Sequence, residues 1–245
     1  THTHSALVCD AVSGVWRGRG VQGEGGTMSI VYVLKTVSPQ MTGYGGFKYP
    51  RRGPVVAKDW RPDDKCGGGL HGLPNGCGNA GYVLFGAESA VWLVIKVDTR
   101  HGYVHGTGDM TDKCKFRRGT VVYSGKRAGA VAYLDKHGCA DKPVVFAARV
   151  GGDRATVTGG DEATVTGGDG ATVTGGNGAT VTGGYRATVT GGYEATVTGG
   201  DLATLCVKWY DGNRYRLAVA YVGENGIKPD TPYRVDDHGK FTEAK

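Results

Sequence analysis

The chain has 245 residues with 29 Lys+Arg against 23 Asp+Glu, a formal net charge of +6. That length allows one or two domains with real cores. The 39% apolar content and mixed charges exclude wholesale disorder. The 45 glycines, about 18% against a usual figure of roughly 7%, follow no three-residue period, which excludes a collagen-like chain. The longest apolar run, Ala90 to Ile95, is far too short for a membrane helix, so no membrane partner is expected.

Residues 1–27 are polar and rich in His and Gly, without the apolar core of a signal peptide. They read as an extension, with Met28-Ser29 a candidate natural start and a cytoplasmic location the expectation. Residues 28–150 read as a mostly β domain. Ile30–Leu34, Val91–Val97, Thr120–Tyr123 and Val144–Ala148 are the strand candidates, the second buried on both faces. Gly43–Phe47 is a turn-rich loop. Ala128 to Lys136 is the helix candidate, closed by His137-Gly138.

Residues 151–204 are an octapeptide repeat: GGDRATVT, GGDEATVT, GGDGATVT, GGNGATVT, GGYRATVT, GGYEATVT, then GGDLATLC. In Ala-Thr-Val-Thr, alternation sends Ala155 and Val157 to one face and Thr156 and Thr158 to the other. The small apolar pair should face inward. Gly-Gly and two further residues make the corner. The fold class expected is all-β with minor helix: a short two-sided β-solenoid of octapeptide repeats, capped on both sides. A two-unit, 16-residue coil suits an Ala/Val core better than a 24-residue triangle. It stacks Arg154, Gly170 and Arg186 on one edge and Glu162, Gly178 and Glu194 on the other. Residues 205–245 read as a C-terminal β cap. Leu205–Tyr210 and Arg214–Val222 form a hairpin around Asp211-Gly212-Asn213, with a further strand near Tyr233–Val235 and a turn at Asp237–Lys240.

The Gly-rich turn followed by Thr-x-Thr resembles the half-coil of bacterial ice-nucleation proteins and the Thr ladders of hyperactive insect antifreeze proteins. This resemblance covers 151–204 alone and implies a water-ordering face. Cys66-Gly67-Gly68-Gly69-Leu70-His71, the short repeats and Val222-Gly223-Glu224-Asn225-Gly226-Ile227-Lys228-Pro229 are together similar to uncharacterised phage and prophage proteins. That layout implies a cytoplasmic origin and no particular activity.

The candidate ligand or partner face is the set Thr156, Thr158, Thr164, Thr166, Thr172, Thr174, Thr180, Thr182, Thr188, Thr190, Thr196 and Thr198. Against it stands the plain observation that Thr suits any exposed strand. The candidate metal ligands, for zinc, are Cys66, His71, Cys77, Cys114, His137 and Cys139, although no paired C-x-x-C spacing occurs. With Cys9 and Cys206 these make six cysteines, for which a disulfide is the competing reading. Gly67–Gly69 offers backbone amides to an anion. Candidate catalytic residues are His71, His101, His105 and Asp109, with Asp98 and Glu88 nearby, for a hydrolase. No nucleophile elbow, P-loop, dinucleotide fingerprint or Ca²⁺-binding nonapeptide is present.

The leading expectation is therefore a non-enzymatic binding or scaffold protein of phage-like type. Ice binding and a hydrolase are the alternatives. Its partner would be a protein or an ordered-water or ice surface. Arg51-Arg52, Arg117-Arg118 and Lys126-Arg127 leave nucleic acid as a further partner. Solenoid faces or edges offer a route to a homo-oligomer.

Overall fold

A computed structural model of the chain describes residues 30–83, 89–106 and 112–244. The extension 1–27, Met28-Ser29, Cys9, Glu88 and Asp109 lie outside the described residues. The chain divides into two compact units, one through Ala140 and one from Asp141.

The first unit is a seven-stranded antiparallel sheet. Its strands are β1 (Ile30–Val37), β2 (Gly53–Val56), β3 (Leu70–Pro74), β4 (Val91–Asp98), β5 (Tyr103–His105), β6 (Cys114–Phe116) and β7 (Arg118–Gly125). They lie in the order β2-β7-β4-β1-β3-β6-β5. The two longest apolar runs pair centrally, β1 with β4 over eight residues from Ile30↔Asp98 to Val37↔Val91. Val31, Val33, Val37, Leu93, Ile95 and Val97 cover one face with Met41 and Tyr49 from the loop after β1. The other face receives α1 (Arg127–Leu134), which packs on β4 and β7 and buries Ala130, Val131 and Leu134. Burial on both faces is why β4 reads as a continuous apolar run. Gly138, with φ 86°, ends the helical segment in a left-handed turn.

The second unit is the solenoid. Its short strands are β8 (Ala148–Val150), β9 (Thr156–Thr158), β10 (Thr164–Thr166), β11 (Thr172–Thr174), β12 (Thr180–Gly183), β13 (Thr188–Gly191), β14 (Thr196–Gly199) and β15 (Thr204–Tyr210). Every parallel pair is offset by 16 residues, as in Thr164↔Thr180 and Thr172↔Thr188. One coil is therefore two octapeptides, and alternate units build two sheets. Val165, Val173, Val181, Val189 and Val197 are fully enclosed, with Ala163, Ala171, Ala179 and Ala187 beside them. So small a core is possible because the two sheets face each other closely.

The coils begin earlier than the Gly-Gly signal. Pro143–Val150 forms a degenerate first unit: β8 pairs in register with β10, and Phe146 N–H donates to Asp161 O. Val144–Ala148, expected as a strand of the preceding domain, thus belongs to the solenoid. Its strand is Ala148–Val150, and Phe146 takes the corner with φ 57°. Eight units make four coils.

The C-terminal strands cap the stack by reversing direction. β16 (Tyr215–Tyr221) runs antiparallel to β15, and β17 (Tyr233–Val235) antiparallel to β14 at Val197↔Tyr233, followed by β18 (Phe241–Glu243). Asp211 Oδ1 closes the β15–β16 turn by accepting from the amides of Asn213 and Arg214, both at 2.8 Å. Val222 and Tyr233 are buried against the Ala/Val core, with Ile227 packed beside them.

Candidate functional site: the threonine faces and their corners

Each octapeptide places both threonines outside, because its single strand residue between them, Val, points in. Parallel in-register pairing then turns each threonine position into a ladder. One sheet carries Thr156, Thr172, Thr188 and Thr204 in one row and Thr158, Thr174, Thr190 and Cys206 in the next. The opposite sheet carries Thr164, Thr180 and Thr196 beside Thr166, Thr182 and Thr198. Successive rungs are about 4.8 Å apart and the two threonines of a strand about 6.8 Å apart. The result is a flat rectangular grid of hydroxyls and methyls.

The two faces differ. On the β9-β11-β13-β15 face the first row runs through all four coils. On the other face the lowest rung replaces threonine with Ala148 and Val150, and at the top the Arg234 guanidinium donates to Thr196 Oγ1 at 2.8 Å. Cys206 takes a threonine place opposite Thr190, and burial raises its thiol pKa. Beyond Thr204 the longer face continues onto β16, whose Tyr215, Leu217, Val219 and Tyr221 all point outward and are exposed.

The corners hold the grid in register. Asp153, Asp161, Asp169 and Asn177 each turn Oδ1 along the stack to accept the backbone N–H sixteen residues on, at 2.8–3.0 Å. This ladder explains the repeated Asp/Asn. It ends at Tyr185 and Tyr193, whose amides are the last donors served in this way. The following residue is left-handed in every coil: Arg154, Glu162, Gly170, Gly178, Arg186, Glu194 and Leu202 have φ between 54° and 65°.

In the first unit the candidate catalytic and metal residues scatter. His71 lies on β3 opposite Lys115, whereas His105 lies on β5 opposite Cys114, the neighbouring row. Alternation therefore sends the two imidazoles to opposite faces. Burial, with Lys113, Lys35 and Lys115, pushes His71 down to about 4, and its Nε2 has no hydrogen-bond partner among the described residues. Tyr103 Oη lies 3.2 Å from His105 Nδ1. His101 sits on an exposed turn, 3.8 Å from Asp98. His137 stacks on Tyr133 beyond α1, and Cys139 is buried near it. Cys77 and Cys114 are buried, and burial drives the Cys114 thiol up to about 12. Cys66 is exposed, 3.4 Å from Lys113 Nζ. Cys66, Cys114 and Cys206 are free thiols. Among the described residues no three His, Cys, Asp or Glu side chains converge as a metal site. The proposed zinc set is thus distributed over separate parts of the unit.

Two features escaped the sequence reading. Lys115, on the short strand β6, has a fully buried side chain. Its ammonium is held by Asp63 Oδ1 at 2.6 Å, Lys65 O at 3.0 Å and Gly67 O at 3.2 Å. The loop of residues 63–67 therefore holds a cation through the Asp63 carboxylate and the Lys65 and Gly67 carbonyls, at the edge of the Gly67–Gly69 segment. Lys35 is half-buried, over the Tyr49 ring, and desolvation lowers it to about 8.

Among the described residues no helix is long and apolar enough to cross a membrane. No protein-family model matches the chain, and no solved structure does. The chain is similar to an ice nucleation protein of Pseudomonas fluorescens, 33% identical over 109 residues, or 42% of this chain and 8% of that protein. It is similar also to ice nucleation protein InaU of Pantoea ananas, 31% identical over 114 residues, or 44% of this chain and 10% of that protein. A third relative is an ice nucleation protein of Enterobacter agglomerans, with 31% identity over 114 residues. The matched region thus spans a tenth or less of those relatives' length.

Proposed function

We propose that the chain is an ice-binding protein whose active face is the β9-β11-β13-β15 sheet. The observation that carries this reading is the two-dimensional threonine grid in strict parallel register. Its spacings, about 4.8 Å by about 6.8 Å, lie close to oxygen repeats of the ice lattice. Hydroxyls fix first-layer water at those points, and methyls between them leave the water to bond to itself. The likeness to ice nucleation proteins supports the same reading. None of the three relatives is a phage protein or a hydrolase, so the ice-directed alternative is preferred to the scaffold and hydrolase readings.

A face of four rungs is small, so the activity is adsorption to ice and shaping of crystals. The test is thermal hysteresis and crystal habit measured on the full chain and two double variants. Thr172→Lys with Thr188→Lys breaks the long row and should abolish shaping. Thr164→Lys with Thr180→Lys alters the interrupted face and should retain most of it. Unaltered ice habit with the parent chain at high concentration would end this reading, and equal loss in both variants would end the choice of face.

A further inference from the structure

Half of one sheet face in the first unit is left open. Along β4, Trp92 and Val94 are buried on the side that receives α1, whereas Lys96, next on the same face, is exposed. Strand pairing carries this open face across four strands. Tyr32 on β1 stands opposite Lys96, Lys96 opposite Thr120 on β7, and Thr120 opposite Pro54 on β2. At about 4.8 Å between neighbours the row is about 14 Å long. Two residues along β7, Arg118 joins the same face. Lys96 and Arg118 are exposed, and Tyr32 is half-buried.

Aromatic rings stand at one end of the row and cations along the rest. The Tyr32 ring lies 6.1 Å from Tyr133, edge to face, and 5.0 Å from His137, which itself stacks on Tyr133 at 4.1 Å. Tyr133 and His137 are half-buried as well. At the β2 end the exposed Arg52 guanidinium donates to Val122 O at 3.5 Å. The carboxylate on this face, Asp98, is already engaged: Arg100 Nε donates to it at 2.9 Å and holds it below the usual carboxylate range. The charge of the whole unit has the same sign. Through Ala140 the chain has 18 Lys+Arg against 10 Asp+Glu, a net +8, whereas from Asp141 it has 11 against 13, a net −2. The basic excess of the chain thus resides in the unit that bears the rings.

We propose that this face binds single-stranded nucleic acid, with bases stacked on the Tyr32–Tyr133–His137 cluster and phosphates drawn along Lys96, Arg118 and Arg52. Cations alone would attract any polyanion. Half-exposed rings at the end of a cationic row select one with unpaired bases, because every base offers a π-face. A duplex keeps its bases stacked inside and offers this face only phosphate. The interaction is independent of ice binding, which is assigned to the other unit.

The test is fluorescence anisotropy of a labelled oligothymidylate of about 12 nucleotides, titrated with the full chain above freezing, so its outcome is separate from that of the ice assays. Three phosphate contacts should make binding weaken by roughly 100-fold between about 50 mM and about 500 mM salt. Lys96→Glu with Arg118→Glu should weaken it by about tenfold or more and flatten the salt dependence. Tyr32→Leu keeps apolar bulk without the ring, and should cost about tenfold with the salt dependence unchanged. Arg214→Glu with Lys240→Glu makes the same charge change at exposed positions of the second unit and should leave binding unchanged. Circular dichroism checks folding; Lys96→Gln with Arg118→Gln, or His137→Leu, replaces a variant of the first unit that is not folded. A parent that does not bind oligothymidylate in low salt overturns the proposal. So does equal affinity for a duplex of the same length, for heparin or for phosphatidylglycerol vesicles. A folded ring variant that binds like the parent, or an equal loss in the second-unit variant, overturns it too.

Discussion

The second glycine of each octapeptide should divide sharply by its place in the stack. Gly176 has ordinary backbone angles, so alanine there brings no conformational strain. The added Cβ would instead sit 2.5 Å from Asp161 N and 2.6 Å from Gly160 C, and would also overlap Asp161 Oδ1. The atoms it meets are mainly the backbone of the rung below, which has no rotamer to yield. The rungs would have to part by about 1 Å to reach ordinary contact distances. That movement stretches Gly176 N–H to Gly160 O, Asn177 N–H to Asp161 Oδ1, and Glu162 N–H to Asn177 O, now 3.1, 2.8 and 2.8 Å. At about 1 kcal/mol net each, the loss is about 3 kcal/mol before any packing defect is added. The matched control is Gly152, which also has ordinary angles and meets nothing within 4 Å. Alanine at Gly152 should be neutral or stabilising by up to about 1 kcal/mol, through a less flexible unfolded chain. Urea unfolding followed by circular dichroism reads both. Gly176→Ala should lower the midpoint by about 1–2 M. An unchanged midpoint, or an equal loss in Gly152→Ala, would refute rung-to-rung contact as the reason for that glycine.

Two further outcomes concern the first unit. Folded His71 stays neutral down to about pH 4, whereas the unfolded ring takes up its proton near 6.5. Stability from this group is therefore full above 6.5 and falls as pH drops toward 4, by about 1–2 kcal/mol after allowance for the ring's partial exposure. His71→Asn should flatten that part of the pH profile in parallel urea titrations, and identical profiles would contradict the burial argument. Lys115→Met removes the cation around which Asp63, Lys65 O and Gly67 O are gathered. It should destabilise the unit by about 3 kcal/mol and accelerate hydrogen exchange in residues 60–69. Unchanged exchange there would show that the loop is held by something else.

The repeat was legible because its period and its residue types agree. Gly-Gly permits the corner, Val and Ala fill the interior, and a four-residue strand has room for only one alternation. The coil length followed from the size of that core, and the 16-residue offset bears it out. The first unit of the stack was hidden because Pro143-Val144 replaces Gly-Gly, Arg149 takes the inward valine position, and Phe146 adopts a left-handed angle that nothing in its side chain announces. The order of the seven-stranded sheet was equally hidden. It depends on long-range pairings such as β2 with β7, which local periodicity does not encode. Lys115 illustrates the limit for individual residues: an alternating Cys-Lys-Phe strand looks half exposed, and only the Asp63–Gly69 loop folded over it makes the lysine interior. The threonine rows were foreseen as a set, but the advantage of one face rests on Arg234 and Ala148–Val150, which come from outside the perfect repeats.

Because neighbouring rungs are sixteen residues apart while the repeat is eight, the gene faces a parity rule. Replication slippage that inserts or deletes two octapeptides changes the height of the stack and nothing else. Slippage by one moves every downstream strand to the opposite sheet. β15 would then arrive where β14 now meets β17, and the later arginine and glutamate corners would exchange edges. Length variants of this chain should therefore differ by whole coils, and a natural variant with an odd number of octapeptides would have to carry a rebuilt C-terminal cap.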